Sequence, residues 1–204
     1  MRPLRSKVPI LPHRATIVVA DEQAFARRLV RSSLAGLGRI IECRTGFEAL
    51  EATEQHRPAV LVMSRQLYGL DGHEVTQFLR RAGGDIRFTP VVLMSSDTRH
   101  SAVMGALSAG IHEFVARPFS LTGLRLRVEK VLRETRPFVR TASFFGPVPR
   151  SRTVVSAILP GGEQALDTLT CVLRRERAIP ASCPLGSACK CRPFARTAKD
   201  LVEL

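Results

Sequence analysis

Residues 59–64 read Ala59-Val60-Leu61-Val62-Met63-Ser64: five apolar side chains in succession, closed by a hydroxyl. A strand with one face in water alternates apolar and polar residues. An unbroken apolar run therefore means burial on both faces, the habit of a central strand in a parallel sheet. Working outward, the pattern recurs. Ile17-Val18-Val19-Ala20 stops at Asp21-Glu22, Pro90-Val91-Val92-Leu93-Met94 stops at Ser95-Ser96, and shorter runs occupy Ile40-Ile41 and His112–Val115. Between these runs apolar residues return at helical spacing. Phe25, Leu29, Val30, Leu34 and Leu37 lead to Gly38; Phe47, Leu50 and Thr53 follow Gly46 and stop before Pro58; Val75, Phe78 and Leu79 mark a third helix. Val103, Ala106 and Leu107 lead to Gly110, and Leu121, Leu124, Val128, Val131 and Leu132 face a last helix. Five strand–helix units in about 120 residues predict an α/β fold: a doubly wound, five-stranded parallel sheet with helices on both faces, followed by a C-terminal extension. In such folds the working site lies beyond the carboxyl ends of the strands. Asp21-Glu22, Ser64, Ser95-Ser96 and Arg117 end four different runs, so they are expected to converge on one pocket.

The chain has 204 residues, 45% hydrophobic and 24% charged, which is globular composition and excludes wholesale disorder. Its net charge of +13 is uneven: residues 1–14 carry +4, residues 15–135 carry +3 and residues 136–204 carry +6. Basic ends could meet nucleic acid, anionic lipid or an acidic partner, but Arg outnumbers Lys 27 to 4, a skew that genomic base composition alone can produce. No stretch approaches the roughly 18–20 apolar residues of a spanning helix, and Pro9 and Pro12 interrupt the apolar run that a signal peptide would need. Of five cysteines, four lie after position 170, so no disulfide framework spans the chain, and a cytoplasmic location is expected.

Between residues 15 and 135 the chain resembles the receiver domain of bacterial response regulators, the chemotaxis-regulator type with a flavodoxin-like fold. The resemblance rests on Asp21-Glu22 after the first strand, Leu70-Asp71-Gly72, Pro90–Ser95, Ala109-Gly110, and Phe114-Val115-Ala116-Arg117-Pro118-Phe119. It implies a phosphoryl switch. In that family the acidic pair and an aspartate ending the third strand hold Mg²⁺, and the aspartate takes a phosphoryl group from a phosphohistidine. A Ser or Thr after the fourth strand and a Lys before a cis proline hold the phosphoryl oxygens, while an aromatic residue on the fifth strand reports the state.

Mapped onto this chain, Asp21 and Glu22 keep the acidic pair, Ser95 the hydroxyl and Phe114 the aromatic position. The acceptor aspartate falls on Ser64, the lysine on Arg117 before Pro118, and a loop residue that is usually proline on Tyr68. A serine hydroxyl is neutral at pH 7, unlike the anionic carboxylate that attacks phosphorus and supplies a hard oxygen to Mg²⁺. The expected site is therefore a degenerate receiver pocket. It has no acyl-phosphate chemistry, no cofactor beyond weak Mg²⁺ at Asp21 and Glu22, and the Arg117 guanidinium forked onto Asp21 or Glu22 in place of the metal. His73 and His112 lack a second histidine at metal spacing and are expected at the surface or in packing.

After the receiver, Pro137, Pro147, Pro149 and Pro160 interleave with Arg136, Arg140, Arg150, Arg152 and with Phe138, Phe144 and Phe145, which reads as an extended linker over 136–160. Its phenylalanines are expected to dock back onto the receiver rather than stack on single-stranded nucleic acid. Ala165, Leu166, Leu169, Val172 and Leu173 give residues 161–178 an amphipathic helical pattern, and Cys183, Cys189 and Cys191 follow in a tail over 179–204 whose spacing is poor for zinc. The expected function is a non-enzymatic, atypical response regulator acting by protein–protein binding. Expected partners are a histidine kinase, a phosphotransfer protein or another response regulator, with a second copy of the chain a further candidate and nucleic acid not expected. Two alternatives stay open: a nucleic-acid-binding regulator using the basic arm and tail, and a receiver phosphorylated at an unusual residue.

Overall fold

A computed structural model describes residues 15–134, 136, 138–140 and 143–150. The expected arm (1–14), the helix of 161–178 and the cysteine tail of 179–204 lie outside the described residues. The chain divides after Val148 into two units, and the elements below belong to the first.

Five strands, β1 (Thr16–Ala20), β2 (Arg39–Cys43), β3 (Val60–Ser64), β4 (Val91–Ser95) and β5 (Glu113–Ala116), form one sheet in the order β2-β1-β3-β4-β5. All four pairings are parallel. The alternating helices are α1 (Ala24–Ser33), α2 (Gly46–His56), α3 (Gly72–Arg81), α4 (His100–Ser108) and α5 (Leu121–Arg133), with a short 3₁₀ helix at Asp85–Phe88 before β4. The doubly wound sheet read from the sequence is the observed one. The central run shows why it is continuously apolar. Leu61 and Met63 point into one core with Ala49, Val75, Leu79 and Ala106, whereas Val60 and Val62 point into the other with Val30, Leu34, Leu124 and Val128. Helices α2, α3 and α4 thus cover one face, and α1 and α5 the other.

Local chemistry sets the helix ends. Thr45 accepts from the Glu48 N–H at 3.1 Å and Ser120 from the Gly123 N–H at 3.0 Å. Asp71 and Glu74 form a reciprocal capping box at the start of α3. One stop signal was misread. Helix α1 ends at Ser33, not at Gly38. Gly38 is needed elsewhere, since a Cβ there would run into the carbonyl of Ala15 beside β1. The aromatic members of the helical patterns also depart from expectation: Phe25, Phe47 and Phe78 are exposed, Phe25 by 65%.

The segment read as an extended linker contains β6 (Phe138–Arg140) and β7 (Phe145–Pro147), an antiparallel hairpin. Its rings supply the reason. Phe138 meets Phe88 edge-on at 5.1 Å, Phe145 lies 5.7 Å from Phe88, and Phe144 is buried. Aromatic burial of this kind outweighs the extended preference of a Pro/Arg-rich stretch.

Candidate receiver cleft

The carboxyl ends of β1, β3 and β4 and the residue after β5 come together as expected. Asp21 follows β1, Ser64 closes β3, Ser95 closes β4 and Arg117 follows β5. Backbone bonds tie these ends: the Arg65 N–H donates to the Met94 carbonyl at 2.7 Å and the Arg117 N–H to the Ser95 carbonyl at 2.8 Å. The Arg117–Pro118 bond is cis.

Asp21 is the electrostatic centre, its side chain only 1% exposed. Arg117 Nη2 donates to Asp21 Oδ2, and the Gln23 N–H donates to Oδ1 at 3.0 Å. The expected pairing therefore forms on Asp21, but as a single bond and not a fork. Arg117 Nε is buried without a hydrogen-bond partner, and the guanidinium carbon stands 6.0 Å from the Phe119 ring centroid. Glu22 takes no part in this pair and is exposed. Its backbone carbonyl accepts from Arg27 Nη1 at 3.1 Å, and the same nitrogen reaches the Asp21 carbonyl at 2.7 Å. Arg27 in turn pairs with Glu42 at 3.4 Å, so α1 clamps the acidic loop from behind.

Ser64 is 4% exposed, and Gly72 lies so close that a Cβ there would stand 2.5 Å from the Ser64 carbonyl oxygen. The Ser95 hydroxyl accepts from the Asp97 N–H at 3.0 Å. Phe114 is half-buried and packs against the α2–α3–α4 core. Beside these residues opens a cleft of about 400 Å³ lined by Glu22, Arg65, Gln66, Leu67, Asp71, Ser95, Ser96 and Asp97. Tyr68, the residue after Leu67 in the loop beyond β3, is exposed.

The cleft holds an ion pair that the sequence reading missed. Arg65, the residue after Ser64, pairs with Asp97 at 3.2 Å, and Arg99 pairs with the same carboxylate at 2.7 Å. Hydrogen bonds from Arg99, helped by the charge of Arg65, hold the Asp97 carboxyl well below the usual carboxylate range. Arg65–Asp97 ties the loop after β3 to the loop after β4. The alternating charges of Ser95-Ser96-Asp97-Thr98-Arg99 were the available signal, but they name no partner across the sheet.

His73 and His112 sit in packing roles, His73 bonded to Gln77 at 2.9 Å and buried His112 accepting from the Val91 N–H at 3.3 Å. Among the described residues no three His, Cys, Asp or Glu side chains are grouped to hold a metal ion, and no helix is long and apolar enough to cross a membrane.

A five-stranded parallel sheet of order 2-1-3-4-5 with polar groups gathered at its carboxyl ends is the arrangement of receiver domains and of other flavodoxin-like folds. The family model for the response regulator receiver domain matches residues 17–129, and the chain belongs to that family. Among curated relatives, response regulator MprA of Mycobacterium leprae is 33% identical over 122 residues, covering 59% of this chain and 52% of the relative; MprA of Mycobacterium tuberculosis shows the same identity. The chain thus spans about half the length of the curated relatives it matches. Among solved structures, the receiver of the response regulator NarL from Mycobacterium tuberculosis is 25% identical, covering 61% of this chain and all of that one, with a TM-score of 0.55. The receiver of the sensor kinase PA1611 from Pseudomonas aeruginosa, which holds a magnesium ion in its active-site cleft, shares the fold at 20% identity, with a TM-score of 0.55 over 59% of this chain and 99% of that one.

Proposed function

We propose that this chain is an atypical response regulator whose receiver works by binding other proteins and takes no phosphoryl group. The observation that carries this reading is the pairing of Asp21 with Arg117, next to a strand end that offers Ser64. Mg²⁺ asks for several hard oxygens in near-octahedral array. Here Asp21 has both oxygens engaged, Ser64 brings a neutral hydroxyl, and Glu22 stands in solvent, so this donor set does not fit Mg²⁺. The Ser95 hydroxyl oxygen accepts from the Asp97 N–H, and the Arg65–Asp97 pair ties the β3 and β4 loops together with no external ligand. Arg117 thus supplies to Asp21 the attraction that the metal cation provides elsewhere in the family.

On this reading the protein catalyses nothing itself and signals in the cytoplasm. Its partners are a histidine kinase, a phosphotransfer protein, another response regulator or a second copy of the chain. The test is incubation of the full chain with acetyl phosphate and Mg²⁺, followed by intact-mass measurement. The expected result is an unchanged mass; an adduct of about 80 Da, whether a labile acyl phosphate on a carboxylate or a stable ester that Ser64→Ala removes, would overturn the reading. The nucleic-acid alternative draws on the basic residues of 1–14 and 151–204, outside the described residues. Within the described residues the phenylalanines of β6 and β7 are taken up by each other, Phe88 and arginines, which favours protein contact over base stacking.

A further inference from the structure

We propose that the β6–β7 hairpin is a tether on the α4–β5 corner, giving the receiver an input at the pole opposite its cleft. The hairpin lies beyond the family match, which ends at residue 129. Its seat is built from residues at the amino ends of β4 and β5, whereas the cleft lies at their carboxyl ends.

Arg80 is the hub of the seat. This buried arginine donates to the carbonyls of Gly110 at 2.9 and 2.8 Å, Arg87 at 2.6 Å and Thr89 at 3.0 Å. One side chain therefore joins the end of α3, the 3₁₀ helix, the entry to β4 and the turn between α4 and β5. Its guanidinium carbon also lies 5.1 Å over the ring of Phe138 on β6. A second contact is backbone on backbone. Gly110 has φ +94°, and a Cβ there would stand 2.8 Å from the Phe145 carbonyl oxygen, while a Cβ on Gly146 would stand 2.7 Å from Gly110 Cα. A third passes through Arg136, which donates to the His112 carbonyl at 2.7 Å and to the Val148 carbonyl where the hairpin ends. The entry to β5 and the exit of the hairpin thus hang on one guanidinium.

These contacts are polar and aromatic and hold two strands of only three residues each, unlike the aliphatic core under the sheet. Such an attachment opens at lower free energy than global unfolding. When it opens, the α4–β5 turn loses its backbone neighbour and the residue leading into β5 loses Arg136 at its carbonyl. The docking state of the hairpin therefore sets the mobility of α4–β5, and by reciprocity a change in that corner alters the docking of the hairpin.

Hydrogen–deuterium exchange of the full chain tests this. Gly146→Val places a branched side chain against Gly110, and Arg136→Gln removes the guanidinium with a milder change. The expected result in both is exchange about tenfold faster over residues 105–116, with wild-type rates over 17–20 and 60–64. Gly110→Ala should in turn speed exchange over 138–147. Unchanged rates over 105–116 in both variants, or equal acceleration across all five strands, would overturn the proposal.

Discussion

Replacing Arg117 by methionine withdraws the guanidinium from Asp21 while keeping an apolar stem of similar reach. The Asp21 carboxylate, 1% exposed, would retain the Gln23 N–H at 3.0 Å as its neighbouring donor. Breaking one partner of a fully buried ion pair costs about 3–5 kcal/mol, whereas an exposed pair is worth about 1 kcal/mol or less. The Arg117 side chain is 24% exposed, so water partly screens it and the expected loss is about 2 kcal/mol. Arg117→Lys should recover about half of that, since the observed contact uses one N–H and not a fork. Urea unfolding followed by far-UV circular dichroism measures the loss, and the single tyrosine, Tyr68, reports the loop after β3 in a chain without tryptophan. Repeating the substitution in an Asp21→Asn background isolates the pair. The same energy has a second readout. About 2 kcal/mol is roughly a thirtyfold factor in an equilibrium constant, so Arg117→Met should bind Mg²⁺ more tightly than the wild type by up to that factor. A loss below about 0.5 kcal/mol, or an equal loss with and without the Asp21 carboxylate, would refute the argument that this pair holds the strand ends together.

Two further outcomes follow from buried groups. Burial pushes the Arg80 guanidinium down to about 9, so it stays charged at neutral pH. Arg80→Met withdraws four donors from three carbonyls, two of them buried, and should cost about 3 kcal/mol or more; an unchanged urea midpoint would contradict the hub assigned to it. Burial, with Glu48 nearby, raises the Cys43 thiol from 9.0 to about 11. The unfolded chain releases that proton first, so the stability it confers is complete below pH 9 and is lost as pH rises through 11. Compared with Cys43→Ala, the wild type should lose about 2 kcal/mol between pH 8 and 11, and a constant difference across that range would refute the assignment.

The fold was legible because its signal is periodic. Strands covered on both faces must be apolar throughout, and Ala59–Met63 and Val91–Met94 could not be hidden among loops. The convergence of Asp21, Ser64, Ser95 and Arg117 was legible for the same reason, since parallel strands end on one side. Three things were not. Phe25, Phe47 and Phe78 fit helical spacing yet face outward, because periodicity locates a stripe within a residue or so and does not say which edge of it meets water. The Arg65–Asp97 pair joins loops 32 residues apart, and an arginine in a chain with 27 of them announces no partner. The hairpin escaped because proline and arginine suppress strand signals, while the burial that overrides them depends on Phe88 and His112, far away in sequence.

Gly72 and the capping box beside it carry a consequence for the history of the pocket. Gly72 has no side chain to press on the Ser64 carbonyl, and the Asp71 carboxylate is bonded to the Glu74 N–H at 2.8 Å. The mount that fixes the end of β3 is therefore backbone and helix cap, with no stake in what residue 64 carries. Chemistry at that position is a replaceable part in a standing frame. A carboxylate and a hydroxyl can be exchanged there without rebuilding the loop, whereas an arginine after β5 that pairs with Asp21 has to yield that carboxylate before any cation can bind it.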